Sequence, residues 1–438
     1  MNKETLRQLY KNPALRNRVL VVLAIMVVYS LLSQLPVPVP DSAKLQSFLT
    51  RIFQSNSLLG FVNLFSGGAL SSFSILLMGL GPYINASIII QLLTQVVPKL
   101  EALSKEGEAG RNKINHYTRL LTLPLAIVQG VAMIFLVRNL STQSIGIDLI
   151  GNPTAFQWVL MVSTIVAGSM ILMWLGEIIT ERGIGNGISM IILFGIVSGL
   201  PATLATQTAL VQTDPGKIFG TVMIGLVAIA TVVFIVYLNE GQRNIPISYA
   251  RRMSNAQAYR GVDTHLPLRV ITAGVIPIIF ALAFLSIPTF VGQLFTNASS
   301  QWLASLAQNI TKIFSPSSFV YSATYFVLVV AFTYFYTAII FKPDEIAENL
   351  QKQGGFIPGV RPGEETSKYL KTIITRITFT GSLGLGFVAI LPFIMQSLFK
   401  TSDAITIGGT SLLIIVAVII ETVKQAKSLA LMASYDKY

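Results

Sequence analysis

The 438-residue chain contains no cysteine. Disulfides, thiolate zinc sites and cysteine nucleophiles are therefore excluded. It has only two histidines, His116 and His265, both in polar segments. Neither reads as a metal ligand, because a metal site needs several converging ligands, and no metal or cofactor is expected. Charge is scarce as well. Asp, Glu, Lys and Arg make up 11% of the residues against 53% hydrophobic, whereas a soluble protein carries about 25% charged residues. The chain reads as a polytopic membrane protein. Within its apolar runs charge is scarcer still: Glu177, Glu421 and Arg376 sit at run ends, and no Asp, Glu, His, Lys or Arg falls mid-run. Ion-coupled carriers usually hold such a residue inside a span, so a proton- or sodium-driven carrier is disfavoured. An intramembrane enzyme is disfavoured too, for want of a converging acid, base or nucleophile. Gly183-Ile-Gly-Asn-Gly187 lacks the Lys-Ser/Thr of a phosphate loop. Any energy input comes from a partner or from the substrate.

What is present is a series of ten apolar runs, near 19–35, 75–97, 120–137, 157–176, 184–204, 218–238, 270–294, 318–341, 377–399 and 409–423. The first follows Lys11, Arg16 and Arg18 and is followed by Pro36-Val-Pro-Val-Pro40 rather than a small-x-small cleavage site. It reads as a retained span. Of the 31 Lys and Arg residues, 25 fall on one side of the implied topology, with both chain termini. That asymmetry predicts cytoplasmic termini. Ten spans divide as five plus five, residues 1–204 and 205–438, and an odd number per half gives inverted halves around a midplane site. A secondary transporter built this way is the rival reading.

Residues 61–97 organise the chain. Phe61 to Ser72, broken by Gly67 and Gly68, is too short to span, since a span needs about 20 apolar residues. Ile75–Val97 is long enough. A short amphipathic piece hinged onto a span reads either as a plug folded into a pore or as a surface re-entrant or interfacial turn. Ser87 and Gln91 on the second run and Gln129 on the third suit either static packing or an interface that opens and closes. The basic loops 98–119, 239–269 and 342–376 suit anionic lipid or a large polyanion such as ribosomal RNA.

The order of motifs then points to a family. Phe65-Ser-Gly-Gly-Ala-Leu70, Pro82-Tyr-Ile-Asn-Ala-Ser-Ile-Ile-Ile-Gln-Leu-Leu93, Glu106-Gly-Glu-Ala-Gly-Arg111 and Thr180-Glu-Arg-Gly-Ile-Gly-Asn-Gly-Ile-Ser189 come first. His265-Leu-Pro-Leu-Arg269, Ala273-Gly-Val-Ile-Pro277, Phe356-Ile-Pro-Gly-Val-Arg-Pro-Gly363 and Gly408-Gly-Thr-Ser-Leu-Leu413 follow. Together they resemble the SecY family, the large channel subunits of the bacterial Sec translocon. The resemblance implies an all-α membrane channel of ten helices in two inverted five-helix halves. An apolar ring of Leu80, Ile84, Ile188, Ile192, Ile279 and Ile414 would close the waist, as dewetting gates do. Phe61, Asn63, Phe65, Gly67, Gly68 and Leu70 would lie in the plug, about 61–72. Ser87, Gln91 and Gln129 would line a lateral gate between spans two and three and spans seven and eight. Arg243, Arg251, Arg252 and Arg361 would dock the SecA motor and the ribosome. The resemblance also implies SecE and SecG as membrane partners, secretory preproteins and nascent membrane proteins as substrates, no enzymatic activity, and a bacterial cytoplasmic membrane location.

Overall fold

The computed structural model describes residues 13–39, 44–49, 69, 72–145, 148–151, 153–213, 218–249, 264–271, 274–295, 300–315, 318–399 and 409–435. The elements follow in chain order: α1 (Pro13–Leu32), α2 (Gly81–Val96), α3 (Pro98–Lys105), α4 (Glu108–Ile145), α5 (Ala155–Arg182), α6 (Gly187–Thr213) and α7 (Ile218–Glu240). Then come β1 (Gln242–Tyr249), β2 (Thr264–Arg269), α8 (Ile276–Phe295), α9 (Gln301–Ile313), α10 (Phe319–Ile340), α11 (Pro343–Lys352), β3 (Gly355–Phe356), α12 (Glu364–Phe399) and α13 (Gly409–Tyr435). Each of the ten apolar runs carries one helix. Among the described residues five helices are long and apolar enough to cross a membrane, or six if α2 and α3, bent by 99° at Val97, count as one. Parts of α6, α7 and α8 form shorter apolar helices.

Helix ends are set by local chemistry. Thr154 and Gln157 form a reciprocal capping box at the start of α5, which satisfies two amides that the helix itself cannot. Ser318 accepts from the Val320 amide at the start of α10. Asn186 Oδ1 accepts from the amides of Ile188 and Ser189 at 3.1 and 3.3 Å and so launches α6.

The second run departs from expectation. Ile75–Leu80 is a succession of turns, and helix begins only at Gly81. Gly79 at φ +54° reverses the chain there, a conformation that glycine adopts without penalty, and Pro82 fixes the first helical turn. The irregular stretch is enclosed by protein: Leu76 and Leu77 are fully buried. A second difference concerns the fifth run. Gly195 and Gly199 lie inside the continuous helix α6, which carries on to Thr213; the break is confined to Gly183–Asn186. The expected boundary at 204/205 thus falls within α6, which ends at Thr213, and α7 begins at Ile218.

The helices pack along two seams. On one, α8 contacts both α2 and α4; on the other, α13 contacts α6 and α1, and α7 contacts α6. Between them lies a continuous apolar cluster with residues from most of the long helices, among them Leu172, Ile196, Ile278, Tyr325 and Val388. A second cluster gathers Val37, Leu45, Phe73, Leu77, Ile134, Ile150 and Ile165.

The membrane part is helical, as expected, but the basic loops add a small sheet of order β2-β1-β3. β1 and β2 form six antiparallel pairs from Gln242↔Arg269 to Ile247↔Thr264, and β3 joins through Ser248↔Phe356 and Tyr249↔Gly355. Ile245, Ile247 and Leu268 point inward in strand alternation. Ile245 and Leu268 share a third apolar cluster with Ile357, Leu370 and Ile373. The described parts of the loops after the sixth and eighth runs are therefore joined in one sheet and one apolar cluster.

Candidate functional site: an apolar cluster and its surroundings

The six residues expected to form a ring come from α2 and its lead-in turn, α6, α8 and α13, and the structure brings all of them to the central cluster. Leu80, Ile192 and Ile414 are buried in it, and Ile84, Ile188 and Ile279 pack against it half-buried. Such side chains exclude water, and separating them costs both their dispersion contacts and about 25 cal/mol for each Å² of apolar surface exposed to water. Ala69, a described residue within the expected plug of about 61–72, is fully buried in the same cluster. The plug positions Phe61, Asn63, Phe65, Gly67, Gly68 and Leu70 lie outside the described residues.

The lead-in to α2 is wedged against α5. A Cβ on Gly168 would lie 1.9 Å from the Ile75 carbonyl oxygen, so only glycine lets α5 approach this closely. Ser74 forms a bridge with Pro36, and the Ile75 amide donates to Leu35 O at 2.9 Å. The turns that deliver Leu80 are thus held by α5 on one side and by the segment after α1 on the other.

The three polar residues assigned to a gate do not form one group. Gln91 Nε2 donates to Ser87 Oγ at 3.1 Å within α2. Gln129 is buried on α4 and lies beside Gly81, where an added Cβ would be 3.8 Å from its Oε1. Gly81 precedes Ser87 by about 9 Å along the helix axis at ~1.5 Å per residue. The seam they flank is occupied: α8 packs on α2 and α4. Phe280 and Phe284 on α8 meet Phe332 of α10 edge-on, at centroid distances of 6.0 and 6.1 Å.

The opposite seam is bonded through the Gly183–Gly187 turn. Arg18 Nη1 donates to Gly183 O at 3.2 Å, the Gly185 amide donates to Gln425 Oε1 at 2.7 Å, and the Gly187 amide donates to Thr180 Oγ1 at 3.0 Å. One turn thereby touches α1, α5, α6 and α13. Nothing in the sequence pairs Gly185 with Gln425; only the glycine spacing marks the turn as special.

At the end bearing the basic loops, Arg361 is exposed on the rim of a cleft of about 560 Å³ lined also by Gly359, Val360, Glu365, Lys368, Tyr369 and Thr372. Its carbonyl accepts from Thr366 Oγ1 at 2.9 Å, which ties the loop to α12. A hydrogen bond to Glu364, then that carboxylate's charge, and then Glu365 hold Lys368 above the usual lysine range, which favours its charged form. Arg243 lies on β1, exposed, while Arg251 and Arg252 lie outside the described residues. Among the described residues no group of His, Cys, Asp or Glu could hold a metal ion.

The comparisons agree with one another. The family model described as SecY matches residues 74–423. The protein translocase subunit SecY of Streptomyces galbus is 43% identical over 434 residues, covering 98% of both chains. A solved SecY structure, described by the role of its plug domain in stabilising the closed translocation channel and maintaining a membrane seal, has a TM-score of 0.62 at 19% identity, covering 94% of this chain and 92% of that one. Sec61 in the canine ribosome-channel complex has a TM-score of 0.61 at 17% identity, covering 94% and 92%. These two likenesses show the fold.

Proposed function

The chain belongs to the SecY family, a family of protein-translocation channels, and on that premise we propose that it passes unfolded secretory polypeptides across the bacterial cytoplasmic membrane and releases transmembrane segments sideways into the bilayer. The observation that carries the detailed reading is the convergence of Leu80, Ile84, Ile188, Ile192, Ile279 and Ile414 on one apolar cluster flanked by two helix seams.

The ten helices are ten spans in two halves of five, both termini are cytoplasmic, and the basic loops face the cytoplasm. The ring seals around chains of varied shape without holding any of them, which suits a conduit rather than an enzyme. Residues 61–72 plug the closed pore. Opening of the seam between α8 and the pair α2 and α4 exposes a hydrophobic segment to lipid, and about 20 apolar residues suffice for that segment to stay there. SecA or a translating ribosome supplies the force and docks on Arg243, Arg251, Arg252 and the Arg361 cleft; the ribosome-bound canine relative supports this for the ribosome. SecE and SecG complete the complex.

The test is planar-bilayer conductance of the assembled complex, intact and with residues 61–70 deleted, and with Ile84→Gly and Ile192→Gly. A rise from near silence to a persistent ion leak supports the closed-pore reading. Silence in the deletion and in the doubly substituted chain, each shown to be folded and inserted, overturns it.

A further inference from the structure

The segment between α8 and α10 is not a plain loop. Residues Gln301–Ile313 form the 13-residue helix α9. At 3.6 residues per turn its side chains sort into three arcs. Ala304, Ala307, Thr311 and the following Phe314 share the first; Ala307 is buried and the others half-buried. This arc of mostly small side chains meets α8, where a Cβ on Gly292 would lie 2.7 Å from Thr311 Oγ1 and 3.2 Å from Ala307 O. Gln301, Ser305, Gln308, Asn309 and Lys312 share the second arc, all exposed. The third holds Trp302, Leu303, Leu306, Ile310 and Ile313, five large apolar side chains that are also exposed, Trp302 at 68%.

A soluble helix with one packed face would not leave a second, wholly apolar face uncovered. Nor can α9 cross a membrane: 13 residues extend about 20 Å, against a hydrocarbon core of about 30 Å. Its position decides between the remaining occupants. Short connections join α9 to the ends of α8 and α10 remote from the basic loops. Those ends expose Ile287, Val291 and Phe295 on α8 and Phe319 and Val320 on α10, the surface that faces acyl chains in a membrane-spanning bundle. The apolar arc of α9 extends that lipid-facing surface, while Lys312 and the amides lie on the water side, as in helices that lie at a bilayer surface.

We infer that α9 is an interfacial helix, seated in the leaflet remote from the basic loops with Trp302, Leu306, Ile310 and Ile313 among the acyl chains, and that it anchors the far end of α8 to the membrane surface. Through the close contact at Gly292, the depth of α9 in the leaflet sets the lateral position of that end of α8.

The absence of native cysteine makes the test direct. Single spin labels are placed at Leu306→Cys, Ile310→Cys and Ile313→Cys, and at Ser305→Cys, Gln308→Cys and Asn309→Cys, in the full chain assembled with cysteine-free partner subunits in lipid bilayers. Collision with oxygen, which concentrates in lipid, is compared with collision with a water-soluble nickel chelate. The expected result is an oxygen-to-nickel ratio several-fold higher for the first three labels than for the second three. Low collision with both reagents at 306, 310 and 313 would mean that protein covers the arc, and nickel access at all six would place α9 in water. Either outcome overturns the inference.

Discussion

The Gly185 amide and the Gln425 side chain meet at 2.7 Å across 240 positions of sequence. Gly185 sits at φ +90°, and Thr422 Oγ1 would lie 3.0 Å from a Cβ placed on it. The contact fastens the turn between α5 and α6 to α13, on the seam opposite α8. In the proposed channel this is the side that stays shut while the other opens.

Gly185→Ala should therefore lower the stability of the complex by roughly 1–2 kcal/mol for the left-handed backbone alone, with further cost from crowding Thr422. Gln425→Ala, which removes one hydrogen bond, should cost about 0.5–1.5 kcal/mol. The double variant should fall short of the sum, because both act on one contact. Thermal unfolding of the four proteins in one detergent measures the cycle.

Gly168→Ala should act on closure. The methyl group cannot coexist with the Ile75 carbonyl at 1.9 Å, so the turns leading to Leu80 must move off α5. Overpacking of this kind costs about 1–3 kcal/mol. The bilayer conductance of the resting complex should rise, with insertion unchanged. The same substitution at Gly225, where nothing lies within 4 Å, should leave conductance as it is.

Asp148 holds together the turn that follows α4. Its carboxylate accepts from Arg138 Nε at 2.7 Å and from the amides of Ile150 and Gly151 at 3.1 and 3.2 Å. Asp148→Ala should cost about 1–3 kcal/mol, as loss of a charged hydrogen-bond partner does. Asp148→Asn, which keeps one acceptor oxygen, should cost less. Faster amide hydrogen exchange at 148–151 than in the parent protein, ranked Ala above Asn, is the expected readout.

Arg361→Lys should weaken ribosome binding nearly as much as Arg361→Ala, because an ammonium lacks the planar fork that grips phosphate in two places. If the partner is RNA backbone, losing the contact should also reduce the magnitude of the salt slope by about one. Lys368 is raised in pKa by Glu364, so its charge is present at neutral pH and is lost only as pH rises through that raised value. Binding at fixed salt should thus hold level from about pH 7 to about pH 9, well below the ordinary lysine value of about 10.4.

Hydropathy located each long helix, because a bilayer demands long apolar runs and leaves a plain trace in composition. Hydropathy does not register backbone conformation, so Ile75–Leu80 counted as span although Gly79 and Pro82 stood in the sequence. The strands were legible in principle: Ile245 and Ile247 occupy alternate positions, as do Leu266 and Leu268. Pro246 and Pro267 obscured them, since proline argues against a central strand; here the two sit where β1 and β2 pair with each other. The ring residues emerged only from the resemblance, since an isoleucine in a span looks like any other. Hydropathy does not mark α9, because a 13-residue amphipathic segment falls below the length of a span. The Gly168 contact and the Gly185–Gln425 bond depend on distances between remote segments, which no local pattern carries.

The sheet at the basic end also has a mechanical meaning. Its β1–β2 hairpin is held by six residue pairs, whereas β1 and β3 share only two, Ser248↔Phe356 and Tyr249↔Gly355. The hairpin is a stiff beam and the β1–β3 joint is its weak weld. In the proposed channel a pull on the Arg361 loop passes directly into α12, to which Thr366 ties it, and reaches α7 and α8 by way of the weld and the hairpin. A sharp pull would part the weld first and leave the hairpin whole, so the joint decides how much of a docked partner's load spreads beyond α12.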